Sequence, residues 1–118
     1  MPNGKGDAKL LRVHLSEGDR RQGRKTYEAI LQRCQEAGIA GATVFRGLEG
    51  FGETAEIHRR HLLHPGQPIV ILVVDEAAKI TALIPEIEGL MESGMLALSD
   101  VTARRVVRQA PAGGDALA

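Results

Sequence analysis

Between Leu11 and Ser16 the chain alternates, with Leu11, Val13 and Leu15 apolar and Arg12, His14 and Ser16 polar. A period of two marks a half-buried strand, and residues 9–16 are read as one. Residues 17–23 form a charged turn. The period then changes over residues 24–37. Tyr27, Ile30, Leu31 and Cys34 fall at i, i+3, i+4 and i+7, on one face of a helix, and Gly38 follows where a helix ends. Residues 42–46 give a second strand. Residues 47–58 have weak periodicity and are read as a long loop or the tip of a twisted hairpin. A continuous Ile/Val/Leu run then fills residues 68–74, which predicts a central strand covered on at least one face. Asp75 is placed to cap a second helix, with Glu76 favourable to its dipole. Ile80, Leu83, Ile84, Ile87, Leu90 and Met91 form that helix's inner face, and Gly94 stops it after about Ser93. Pro85 inside it removes a hydrogen bond and predicts a kink. Residues 98–107 give a fourth strand.

The order β-α-β-β-α-β predicts an α+β domain of the ferredoxin-like type. Two right-handed β-α-β crossovers build a four-stranded antiparallel sheet with both helices on one face. Residues 9–108 form this single domain, residues 1–8 a disordered lead and residues 109–118 a disordered tail. The face without helices stays bare unless identical subunits cover it, and an uncovered apolar sheet invites association.

Composition narrows the picture further. The 118 residues include no Trp, one Tyr and two Phe, so the core is aliphatic and modest. Fifteen basic and fifteen acidic residues balance, which excludes whole-chain attraction to nucleic acid or an anionic membrane. The longest apolar run, residues 69–74, is too short to insert into a bilayer. No apolar leader stands in the first residues, and a single cysteine excludes an internal disulfide, so a cytoplasmic protein is expected. Cys34, on the buried helix face, is read as core rather than nucleophile.

Candidate chemistry concentrates in residues 38–52, which hold Gly38, Gly41, Gly47, Gly50 and Gly52. Gly38 and Gly41 serve a helix end and a strand start. Gly47, Gly50 and Gly52 gather beyond the strand in greater number than a plain hairpin needs, and point to a binding loop. Their spacing is G-x-x-G-x-G with no helix following, so neither the dinucleotide fingerprint nor a Walker-type loop fits. Arg46 and Glu49 flank Gly47. They form either a surface ion pair or a site in which Arg46 offers its fork to a phosphate or carboxylate. His58, His61 and His64 recur every third residue, open to three readings: metal ligands, solvated loop histidines, or anion contacts made by His58 with Arg59. No catalytic constellation stands out, and no cofactor is indicated.

Residues 10–17, Tyr27-Glu28-Ala29-Ile30, the glycine-rich residues 38–52, Ile57-His58 and the strand at 68–75 resemble the uncharacterised bacterial family numbered 190 among domains of unknown function. The likeness covers about residues 9–107. That family is similar to the PII signalling proteins, ferredoxin-like subunits that form trimers with their sheets inward. The resemblance implies a non-enzymatic, homotrimeric, cytoplasmic regulatory protein. It makes residues 46–62 the loop that contacts the regulated partner, a transporter or an enzyme, and points to a membrane transporter of the fluoride-exporter type as one such partner. Ligand contacts would come from Arg46, Gly47, Glu49, Gly50, Gly52, His58 and Arg59. PII proteins bind adenine nucleotides partly through a Gly-Lys-rich loop before the last strand, whereas residues 91–99 here hold neither Lys nor Arg. The same architecture occurs in trimeric divalent-cation-tolerance proteins, so metal binding by the histidines is the alternative.

Overall fold

The fold is that of a computed structural model, which describes residues 4–47, 49–51, 57–59 and 67–108. In chain order the elements are β1 (Gly4–Ser16), β2 (Arg20–Arg21), β3 (Arg24–Lys25), α1 (Thr26–Glu36), β4 (Ala42–Arg46), β5 (Glu49–Phe51), β6 (Ile57–Arg59), β7 (Pro68–Glu76), α2 (Ala77–Glu88) and β8 (Met95–Arg105). The main sheet has the order β4-β7-β1-β8 with every neighbouring pair antiparallel, and β2-β3 and β5-β6 are separate two-stranded ribbons. This is the predicted ferredoxin-like arrangement, with two small hairpins added.

Alternation decides what each strand buries. Leu11, Val13, Ile69, Ile71 and Val73 point to the helices, where they meet Ile30 and Cys34 of α1 and Ile80, Leu83 and Ile87 of α2, each at 2% exposure or less. Burying one such aliphatic side chain contributes about 1.5–3 kcal/mol, so this seam is the main source of stability. Tyr27 and Leu31 pack on its margin, as the helical spacing predicts. At the end of α1 the N–H of Ile39 donates to Cys34 O at 3.1 Å and that of Gly38 to Gln35 O at 3.1 Å, with Gly38 at φ +77°. This is the expected glycine-closed helix end.

The opposite sheet face carries the other half of the same strands. Register places Phe45, Val70, His14 and Met95 in one row, Thr43, Leu72, Arg12 and Ala97 in the next, then Val74, Leu10 and Ser99. Phe45 is 53% exposed, Met95 58% and Val74 38%. The continuous apolar run in β7 thus supplies the core with alternate residues and this uncovered face with the rest.

Several boundaries differ from the sequence reading. β1 begins at Gly4, inside the stretch read as a disordered lead, because Gly4 to Asp7 pair with Arg105 to Thr102 of β8. The remaining lead and the tail from residue 109 lie outside the described residues. β8 likewise starts earlier and ends earlier than residues 98–107. Asp75 does not cap α2: β7 runs on through Glu76, which occupies the cap position and makes no capping bond to the helix. Helix α2 stops at Glu88 rather than near Ser93. The helix runs three residues past Pro85 and ends with the Gly89 N–H on Pro85 O at 3.0 Å. Leu90 and Met91 still pack on the core from the turn beyond, which is why their spacing reads as helical. Gly94, read as the helix stop, lies instead where β8 meets β1. It has φ +128°, and an added Cβ would stand 2.5 Å from the His14 carbonyl oxygen.

Candidate functional site

The glycine-rich segment leaves the sheet from the end of β4 as a hairpin arm. Strand β5 pairs antiparallel with β6, with Glu49 opposite Arg59, Gly50 opposite His58 and Phe51 opposite Ile57. Four of the predicted site positions are therefore backbone neighbours on one ribbon, and the twisted-hairpin reading of this segment is the one realised. Gly52, His61 and His64 lie outside the described residues. Among the described residues no cluster of three metal-ligating side chains occurs.

Two contacts fix the arm's root. The Gly47 N–H donates to Pro68 O at 2.7 Å, and a Cβ on Gly47 would stand 3.0 Å from Pro68 Cγ. A side chain there would press the Pro68 ring aside by a few tenths of an ångström, so glycine suits the close approach. Arg46 sends its fork to Glu17, Nε to Oε1 at 2.8 Å and Nη2 to Oε2 at 2.5 Å. The sequence reading set Arg46 beside Glu49, its neighbour in the turn. The sheet order explains the actual partner. Glu17 follows the end of β1 and Arg46 ends β4, and both strands flank the start of β7 through Ser16↔Pro68 and Arg46↔Ile69.

Glu17 is a junction. Its N–H donates to Gln67 O at 2.8 Å, and Lys25 Nζ lies 3.9 Å from its carboxylate and 5.9 Å from the Tyr27 ring centre. The bonds from Arg46 hold the Glu17 carboxyl below the usual carboxylate range against a weaker opposing effect of burial, and the same pairing raises Arg46. Arg46 stays 56% exposed at the side chain while Glu17 is 17% exposed, so the guanidinium remains reachable from solvent. Sequence spacing holds no signal for a pair 29 residues apart.

The same turn holds what sequence reading missed. Residues 20–25, read as part of a charged turn and the start of a helix, form the β2-β3 hairpin with Arg20 opposite Lys25 and Arg21 opposite Arg24. Burial pushes the Cys34 thiol up, slightly offset by Arg33, which agrees with a core role.

The profile of the family DUF190, described as "Uncharacterized ACR", matches residues 8–103. The chain belongs to this family. A UPF0166 protein of Aquifex aeolicus (strain VF5) is 40% identical over 95 residues, covering 79% of this chain and 90% of the relative. Among solved structures, CPII, a nitrogen regulatory PII-like protein from Thiomonas intermedia K12 bound to ADP, AMP and bicarbonate, superposes with a TM-score of 0.68. It is 20% identical, with 86% of this chain and 92% of that chain covered. The divalent ion tolerance protein CutA1 from Ehrlichia chaffeensis gives 0.52 at 14% identity, covering 86% and 84%. At these identities both likenesses are of fold, and this DUF190 chain is PII-like in architecture. Among the described residues no helix is long and apolar enough to cross a membrane.

Proposed function

We propose that this DUF190 protein is a PII-like regulator that acts by binding rather than catalysis, as a cytoplasmic homotrimer closed over its open sheet face. The carrying observation is the pairing of an uncovered apolar face, built from Phe45, Val70, Leu72, Val74 and Met95, with a glycine-rich arm rooted at its edge. Packing three such faces together removes apolar area from water and sets the arms at subunit clefts. A small anionic ligand in the cleft competes with Glu17 for the fork of Arg46. Gly47, Glu49, Gly50, Gly52, His58 and Arg59 complete its surroundings. Freed from Glu17, the arm takes a second conformation and docks on a regulated partner, an enzyme or a transporter, the fluoride-exporter type being the transporter that family resemblance suggests. Glycines lower the cost of two arm conformations, which a two-state switch requires.

Light scattering tests the assembly: the mass is expected at about three times the 12.7 kDa protomer, and a protomer mass at micromolar concentration refutes it. Calorimetry tests the ligand. ADP, AMP and bicarbonate, held by the Thiomonas protein, head a panel that includes cyclic dinucleotides, and silence throughout removes the ligand half of the reading. The fold likeness to CutA1 supports one alternative, metal binding at His58, His61 or His64. Copper or zinc binding that a His58→Ala change abolishes would favour it.

A further inference from the structure

The β2-β3 hairpin is built against the usual rule for cross-strand pairs. Both of its pairs, Arg20↔Lys25 and Arg21↔Arg24, set like charges directly opposite, an arrangement that destabilises a ribbon. The turn between them is nonetheless tight. Gln22 at φ +54° and Gly23 at φ +81° give the two positive values of a type I′ turn, so the backbone holds the arginines in this register. A strained glutamine and two repelling pairs in six residues mark a place where local stability yields to something else.

The neighbouring acids account for part of this charge. Lys25 faces Glu17 at 3.9 Å. Arg20 shares a small cleft with Asp19 and Glu92. Arg21 and Arg24 have only neutral acceptors among the described residues. Arg21 Nη1 donates to Gly89 O at 2.5 Å, and Arg24 Nη2 donates to Gln32 Oε1 at 2.7 Å. Each bond uses one of five guanidinium N–H groups and anchors the head without neutralising it. Both arginines line one pocket of about 210 Å³, together with Thr26, Gly89 and the apolar Ala29 and Leu90.

We propose that this pocket is an oxyanion site in which Arg21 and Arg24 together take the phosphoryl group of a small ligand. Two fixed forks on opposite strands match a dianion better than a carboxylate, which needs only one. Bound phosphate relieves the repulsion between the strands, and the apolar wall accepts a short organic body. The site is separate from the arm and independent of the regulatory reading above.

The test is an assigned amide NMR map of the full chain, titrated at constant ionic strength with inorganic phosphate in one arm and AMP in the other. Saturable shifts are expected at Gln22, Gly23, Thr26, Ala29, Gly89 and Leu90. Equal affinity for the two probes identifies the free ion as sufficient, and tighter AMP binding identifies the ester. The double variant Arg21→Gln/Arg24→Gln is expected to bind about tenfold or more weakly, while Arg46→Gln binds as wild type. The absence of saturable shifts by about 1 mM, shifts centred on residues 46–59, or unchanged affinity in the double variant overturns the proposal. If the double variant does not fold, the wild-type shift map decides alone. Loss of ligand response in the arm with these shifts intact would count against the regulatory reading only.

Discussion

Asp75 is the sharpest place to test how the scaffold holds its loops. It is 3% exposed, and its carboxylate accepts from the Ala40 N–H at 3.0 Å and from the Glu76 N–H at 2.7 Å. It thereby joins the segment entering β4 to the corner between β7 and α2. Charge-assisted bonds of this kind contribute about 1.5–3 kcal/mol each. Water reaches the exposed Ala40 backbone once the carboxylate is gone, so Asp75→Ala is expected to cost about 2–4 kcal/mol. Asp75→Asn keeps one acceptor oxygen and turns an NH2 toward the other donor, at a cost of about 1–3 kcal/mol. Burial alone would raise the Asp75 pKa, but the two N–H donors, helped by Lys79, outweigh it and leave it lowered. A carboxyl lowered in the folded state contributes stability that is present above its unfolded value near 3.9 and lost as pH falls through the folded value. The gap between wild type and Asp75→Asn is therefore wide at pH 7 and narrows below about pH 4. Urea unfolding at fixed protomer concentration measures it, since self-association shifts midpoints. A gap under about 0.5 kcal/mol at pH 7, or one that widens in acid, refutes the reasoning.

Three further outcomes are expected. Phe45→Glu places a charge on the open sheet face, on its edge strand β4. It should lower the light-scattering mass to the 12.7 kDa protomer with the far-UV circular dichroism retained, and an unchanged mass would clear that face of any role in assembly. Gly94→Ala sets a Cβ 2.5 Å from a backbone oxygen that cannot turn aside, and at φ +128°. A loss of about 2 kcal/mol or more in urea unfolding is expected. The Cys34 thiol, buried and raised in pKa, should react with a disulfide reagent at neutral pH only as fast as the chain opens; burst labelling of the native protein would contradict that.

The elements that sequence reveals are those whose pattern is local. Leu11, Val13 and Leu15 alternate and lie in a strand; Tyr27, Ile30, Leu31 and Cys34 recur at helical spacing and lie on a helix. What sequence hides depends on partners far along the chain. Gly4 to Asp7 look unstructured because their order comes from β8, about a hundred residues on. Asp75 has the composition of a cap, yet its acceptors serve Ala40, 35 residues earlier. The arm is legible through Gly47, Gly50 and His58, whereas its tether is not, since Glu17 is no neighbour of Arg46 until β7 has come between their strands. The arginine hairpin is hidden for another reason. Its Gln22-Gly23 turn is a weaker signal than Asn-Gly, and two-residue strands carry no period.

The strand order also governs when this sheet can exist. Among the described residues β1 pairs with β7 and β8, whose residues begin at Pro68 and Met95. On a ribosome β1 therefore emerges with both edges open and stays so until residues 68–76 and 95–105 have been made. Closing such distant pairs slows folding, and Leu11, Val13 and Leu15 are meanwhile a strand that a nascent neighbour could capture. Crowded translation of this message should show that vulnerability before the finished protein does.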